Sequence, residues 1–465
     1  MTADVDAVLS RLDEDFDAAV ERLFDLLRIP SISTDPAHAK DCVRAAEWLA
    51  ADLKSIGFAA RVCPTQGHPM VLGHLKAGDP AAPHILFYGH YDVQPPDPLE
   101  LWSSPPFAPE IRHAGPGDEG RIYARGAMDD KGQLMTFVEA CRAMVAANAA
   151  LPVSVTLLFE GEEESGSASL GPFLKQNAAE LKADHVLVCD TLMWDRQTPA
   201  ITSMLRGMVA EEFTVKAANR DLHSGLYGNA AANPNNLLAH ILAELKDSDG
   251  RIMLPGFYDG VVEPDASMLA QWEELGFDAA GFLGEIGLEH AAGEPGRGLL
   301  EQLWTRPSCD INGIWGGYTE PGFKTVIPAQ ASAKVSFRLV AGQDPARIKA
   351  AFRDFVSARV PPDCSVEFTG HGASPAISCD TSSDFVRTAM HMLTREFGRK
   401  AAFVGCGGSI PIVENFAQAL GMESVLIGFG LDDDCAHSPN EKYEISSFRH
   451  GARFWARFID ALGNQ

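Results

Sequence analysis

Nothing in the sequence approaches the ~20 consecutive apolar residues that a membrane-spanning helix needs, which argues against an α-helical membrane protein. Residues 1–17 are acidic and lack a basic stretch followed by an apolar one, so no secretory signal is expected there. Paired cysteines are also missing: the nine Cys, an odd number, are scattered from Cys42 to Cys435 with no C-x-x-C. That pattern suits small buried thiols in a reducing compartment, and the cytoplasm is the expected location. Positive charge is scarce, with 38 Lys and Arg against 63 Asp and Glu and a formal charge of −25. Nucleic-acid binding depends on clustered Lys and Arg meeting phosphates, so no nucleic-acid partner is expected. The acidic excess mainly favours solubility. No internal repeat or low-complexity segment is present.

What is there is ordinary enzyme material. The 465 residues exceed the ~250–300 at which a single core stops growing, so two domains are expected. Apolar content of 46% argues against long disorder. Residues 12–60 read as helices broken at Ile29-Pro30-Ser31. From residue 84 short apolar runs appear, at 85–88, 153–159, 186–189 and 425–429, with helical patterns at 133–147 and 170–181 between them. Strands apolar throughout, alternating with helices, indicate an α/β domain whose mostly parallel central sheet is covered on both faces. In the middle of the chain, 209–215 and 333–339 alternate apolar and polar residues, as strands with one wet face do. Helical segments at 234–245 and 345–356 accompany them, the second with Asp344 as N-cap and Pro345 at its first position. The expected division is 1–205 with 381–465 as the catalytic domain, and 206–380 as an inserted α+β domain. Residues 247–300, rich in Gly, Asp and Glu, resist assignment.

The chemistry lies where the runs stop. The first ends in Gly89-His90-Tyr91-Asp92, the second in Glu160-Gly161-Glu162-Glu163-Glu164, and the third in Asp190. The last run leads to a loop carrying His437, and a turn at 125–132 contributes Asp129. Ligands of open α/β sheets sit at the carboxyl ends of the strands, so these groups should share one rim. Two His with several carboxylates suit zinc, manganese or cobalt. A two-metal arrangement needs a bridging carboxylate: His90, Asp129 and Asp190 would serve one ion, and Asp129, Glu164 and His437 the other. Three ligand carboxylates against two divalent ions leave one positive charge, which a bridging hydroxide neutralises. Asp92 is placed to orient the His90 ring. Glu163 is placed to move a proton as general base and acid. Each residue has a plainer reading: His90 as a structural histidine, 160–164 as a solvated helix start, Asp190 as an N-cap, and Asp432–Asp434 as a solvated loop.

The ordered set of strings Y-G-H-Y-D-V-Q-P (88–95), Y-A-R-G-A-M-D-D-K-G (123–132), F-E-G-E-E-E-S-G-S (159–167) and V-C-D (188–190) resembles a known family. D-L-H-S-G-L-Y-G (221–228), G-G-Y-T-E-P-G-F-K-T-V-I-P-A (316–329), F-R-L-V (337–340), G-G-S-I-P (407–411) and A-H-S-P-N-E (436–441) continue it. It is the carnosine-dipeptidase branch of the zinc aminoacylase and carboxypeptidase-G superfamily of metallopeptidases. The resemblance implies hydrolysis of dipeptide amide bonds, with zinc as the first candidate for both ions, Asp129 bridging and Glu163 as base. It implies a homodimer formed by the inserted lid, with His223 reaching the partner's site to stabilise an oxyanion. It also implies that Arg338, His371, Thr325, Gly408 and Ser409 hold the substrate's carboxylate and backbone. Read without it, Arg338 is half of a surface ion pair and His223 a capping or solvent residue. Tyr91, in a slot often aliphatic, and the variable stretch 99–106 depart from the pattern. The alternatives are an N-acyl-amino-acid deacylase (deacetylase or desuccinylase type) using the same site, and a non-catalytic binding module.

Overall fold

The computed structural model describes residues 5–148, 150–408 and 411–464. The chain divides into two compact units, the first Met1–Ser203, Cys379–Val404 and Ile412–Gln465, the second Met204–Ser378 and Gly405–Pro411.

In the first unit the buried runs form the middle of a sheet. The strands Ser154–Glu160, His84–His90, His185–Val188 and Ser424–Ile427 lie side by side in that order and run parallel. Antiparallel strands flank this block: Ala59–Cys63 and Met70–Leu75 on one side, Ala200–Leu205 on the other. The sheet is therefore mixed, and parallel only at its centre. His84–His90 and Ser154–Glu160 are buried at every position after the first, which explains why they read as unbroken apolar runs.

Two helices account for much of that burial. Lys131–Asn148 is buried along its first eleven residues, and Ile445–Gly463 packs with it. Phe87 stacks on Phe137 at 3.9 Å between centroids and meets Trp455 edge-on at 5.6 Å. Trp455 donates its indole N–H to Thr136 at 2.9 Å, so the polar edge of a buried ring has a partner.

The N-terminal helices Val5–Glu14, Phe16–Leu27 and Ala39–Ile56 sit where 12–60 reads as helical. At the break after Leu27, the buried Lys131 ammonium donates to the carbonyls of Ile29 (2.7 Å) and Leu26 (3.2 Å). A cation at a helix C-terminus answers otherwise orphaned carbonyls, and here it ties the helix to the turn carrying Asp129.

The second unit is a four-stranded antiparallel sheet in the order Ser308–Gly316, Gln330–Leu339, Gly207–Lys216, Ser365–Ser374. Strict alternation along Gly207–Lys216 turns Val209, Phe213 and Val215 onto the helices Pro234–Ala243 and Pro345–Ser357. Both helices start at a capped proline: Asn233 accepts from Asn235 N and Asp344 from Ala346 N. The unassigned stretch holds three short helices, Ala266–Glu274, Ala279–Glu285 and Leu299–Trp304. Arg306 secures it through Glu263 (2.8 Å) and Glu294 (2.9 Å). No helix among the described residues is long and apolar enough to cross a membrane.

Candidate metal centre

The parallel strands deliver their polar ends to one place. His90 closes one strand, Asp190 follows the next by two residues, and Glu163–Ser165 form a single 3-10 turn beyond Glu160. His90 Nε2 lies 3.0 Å from Asp129 Oδ1 and 3.8 Å from Asp190 Oδ2. His437 Nε2 lies 3.0 Å from Asp129 Oδ2 and 3.3 Å from Glu164 Oε2. The two oxygens of Asp129 thus face two different donor sets. Donors on one tetrahedral ion at ~2.1 Å sit roughly 3.4 Å apart, and the observed separations bracket that value.

The tautomer of His90 sharpens the fit. Its Nδ1 is 3.1 Å from the main-chain carbonyl of Asp92, an atom that only accepts, so Nδ1 carries the proton. Nε2 is then the ring nitrogen that faces two carboxylates, donating to Asp129 when the ring is charged and left to bind a cation placed among them. Charge tells the same story. Burial and the surrounding carboxylates push Asp190 well up, and Glu163 is raised for the same reasons. Hydrogen bonds to Asp129 and Glu164 push His437 up to about 10. His90 also rises: its burial acts against this, but the bonds to Asp129 and Asp92 outweigh it. Asp129 is held low, its burial overcome by the two histidines. The cluster stabilises positive charge placed among its oxygens. The residues present fit a pair of divalent ions.

Asp92 has a second task besides the one expected at the His90 ring. Its carboxylate is 3.4 Å from His90 Nδ1, beyond the carbonyl contact of the same residue. Its oxygens also accept from the main-chain N–H groups of Glu163 (3.2 Å) and Glu164 (3.0 Å). The buried Asp92 carboxylate therefore pins the turn bearing both glutamates. Glu163 itself has no side-chain hydrogen bond among the described residues and is half-buried, so its carboxyl is free to take and give a proton.

The plainer readings fare unevenly. Glu160 and Glu162 are buried, so 160–164 is no solvated helix start, and no helix follows Asp190 for it to cap. Asp432–Asp434 forms a 3-10 turn in which Asp432 and Asp433 are exposed, as the solvated reading has them, and Asp434 is not. Asp434 is wholly buried, accepting from Leu431 N and from Lys442 Nζ, each at 2.7 Å.

Residues outside the expected set support the centre. Gln94 Nε2 donates to Glu164 Oε2 at 2.7 Å. Asp130 Oδ2 accepts from His90 N at 3.0 Å, and Glu441 Oε1 from Asp129 N at 3.1 Å. Gln94, Asp130 and Glu441 all lie inside strings already singled out, which is the one signal that pointed to them. Tyr91 is buried, and its hydroxyl donates to the Pro69 carbonyl at 2.5 Å. A Cβ on Gly161 would stand 2.2 Å from that hydroxyl, so only glycine fits there.

The remaining expected residues belong to the second unit. His223 is exposed and its Nδ1 accepts from Gly225 N at 3.0 Å, capping the short turn Ser224–Tyr227. His223 pairs with Val326, which brings the neighbouring Thr325 close, and the carbonyl of Thr325 accepts from Ser224 N. Arg338 is half-buried, with no hydrogen bond or ion pair among the described residues. It alternates with Phe337 and Leu339, which face the helices, so it lies on the sheet's open face. His371 is exposed beside Glu212 at 3.1 Å. Arg206, absent from the expected set, donates to the Gly407 carbonyl (3.1 Å), and its main-chain N–H reaches the Gly408 carbonyl (3.1 Å). Burial and the nearby Arg338 lower its pKa. Ser409 lies outside the described residues.

Residues 86–461 match the sequence model described as Peptidase family M20/M25/M40. The chain is 30% identical over 465 residues to the Cys-Gly metallodipeptidase DUG1 of Candida albicans, covering 96% of this chain and 94% of the relative. It is 30% identical over 398 residues to human Beta-Ala-His dipeptidase, covering 84% and 77%. The solved structure of the dipeptidase Dug1p of Saccharomyces cerevisiae superposes with a TM-score of 0.76 at 27% identity, over the whole of both chains.

Proposed function

The chain belongs to peptidase family M20/M25/M40, and from that membership we propose that it is a metal-dependent dipeptidase. The observation that carries the reading is the Asp129 carboxylate, one oxygen turned to His90 and the other to His437. His90, Asp129 and Asp190 hold one divalent ion, and Asp129, Glu164 and His437 the other, zinc being the first choice and manganese or cobalt suiting the same donors. Bound there, the ions polarise the scissile carbonyl and acidify water.

The side chains of this chain do the rest. Glu163 takes the proton of the attacking water and passes it to the leaving amine. Its raised pKa, set by burial, suits a group that must both accept and release a proton. Asp92 keeps Glu163 and Glu164 in register through their main-chain N–H groups. Arg338 grips the free carboxylate of the dipeptide, with His371, Thr325, Gly408 and Ser409 around the backbone. His223 steadies the developing oxyanion, supplied by a partner subunit of a homodimer. The inserted segment 206–380 acts as lid and dimerisation domain, and the enzyme works in the cytoplasm. The names of the relatives support a dipeptide substrate over an N-acyl amino acid.

A competitive digestion tests this. Protein stripped and reloaded with zinc or manganese is given a mixture of dipeptides, N-acetyl and N-succinyl amino acids, and products are followed by mass spectrometry. Dipeptides should disappear first. Consumption of the acylated amino acids alone would move the chain to the deacylase reading.

A further inference from the structure

Glu441 stands four residues beyond His437, is completely buried, and spends its whole carboxylate on the turn that carries Asp129. Oε2 accepts from Arg125 Nη1 and from Gly126 N, both at 2.8 Å. Oε1 accepts from Met128 N at 2.9 Å and Asp129 N at 3.1 Å. Its own carbonyl accepts from Ala124 N at 3.2 Å. Five bonds therefore join one residue to the 124–129 turn.

The other side of Glu441 is the loop of His437. Cys435, His437 and Asn440 all adopt positive φ, at 58°, 59° and 64°, a region that non-glycine residues hold only when their surroundings over-determine it. Asn440 contributes through Ser103 N (2.8 Å) and the Leu101 carbonyl (2.8 Å). Glu441 is the next anchor, and the only one of the two that reaches the Asp129 turn.

We infer that Glu441 is a positioning residue that locks the turn of Asp129 to the loop of His437, and so sets the affinity of the ion these two share with Glu164 more than that of the other ion. The inference rests on the two-metal reading above. His90 and Asp190 reach the centre on strands of their own, so the ion they hold with Asp129 keeps two donors that Glu441 does not position.

The test is zinc titration of the metal-stripped full chain by calorimetry, with cobalt absorption as a spectroscopic check, on wild type, His437→Ala and Glu441→Gln. His437→Ala identifies the binding event that belongs to the shared ion. Glu441→Gln keeps the size but replaces acceptor capacity with an amide, and should weaken that same event ~10–100-fold while moving the other event little. Both events at wild-type affinity would overturn the inference. Equal weakening of both, in step with a lower melting temperature, would also overturn it, by making Glu441 merely structural. Glu441→Asp, one methylene shorter, is the companion should the Gln variant fail to fold. It should show the same uneven loss, and failure of both variants to fold would count against the inference. Wild type binding fewer than two ions would instead sink the two-metal reading.

Discussion

The two units hold their polar side chains in opposite ways. In the first, three of the five metal-centre donors are backed by a second group: His90 by the Asp92 carbonyl, Glu164 by Gln94, Asp129 by Glu441. His90 and Asp92 are fully buried. In the second, His223, Thr325 and His371 are exposed, and Arg338 has no hydrogen bond or ion pair among the described residues. Ion binding rewards donors fixed in advance, because loose donors lose affinity and geometry together. Groups that hold a passing substrate tolerate freedom, since their ordering is offset when the ligand arrives. On the proposed reading, the first unit is built to be ready and the second to respond.

That contrast can be broken at several points. The largest effect is expected at Glu163, where Glu163→Gln should lower kcat ~10²–10⁴-fold with metal content unchanged, measured by steady-state kinetics beside elemental analysis. Near-normal turnover would remove Glu163 from the chemistry. Next comes a buried carboxylate remote from the centre. The Glu396 side chain is 2% exposed and faces Arg453 (2.8 Å), Arg457 (2.7 Å) and His450 (3.0 Å). Burial raises its pKa, but bonds to those three outweigh it, so the folded value is depressed. Its ionisation thus stabilises the fold above the unfolded pKa, near ~4.3, and that share is lost as pH falls through the depressed value. Glu396→Gln should cost ~3 kcal/mol at neutral pH, with the gap to wild type narrowing below about pH 4, read from urea unfolding. A gap that stays constant with pH would show the charge is not what matters.

The open face should respond differently. Arg338→Met is expected to raise KM for dipeptides by ~10–100-fold, the scale of one charged hydrogen-bonded contact, with metal content untouched. A change in metal binding instead would blur the distinction between the units. The smallest effect belongs to Gln94→Ala, which should weaken one ion ~10-fold while the protein remains folded, seen as earlier loss to a chelator.

Much of this was readable beforehand because three of the four buried runs stop at polar residues, and an apolar run that stops at His90, Glu160 or Asp190 marks a rim. The alternating strands of the second unit were equally plain, since period two has no helical counterpart. What escaped has physical reasons. Gln94, Asp130 and Glu441 act through main-chain N–H groups or a neighbour's carboxylate, partners that come together only in the fold. Asp434 reads as one of three solvated acids until Lys442, eight residues on, is seen buried against it. Residues 247–300 carry helices too short to show a period, held by Arg306 and two glutamates distant in sequence. The carboxylate of Asp92 could be placed near the His90 ring, but not its bonds to the two amides of Glu163 and Glu164.

The most direct test of the whole account is the metal stoichiometry of the wild-type chain. Native mass spectrometry of stripped protein titrated with zinc should show two ions bound per chain, and one in His437→Ala. A wild-type chain that takes up a single ion, or none, would contradict the paired donor sets around Asp129 on which the account stands.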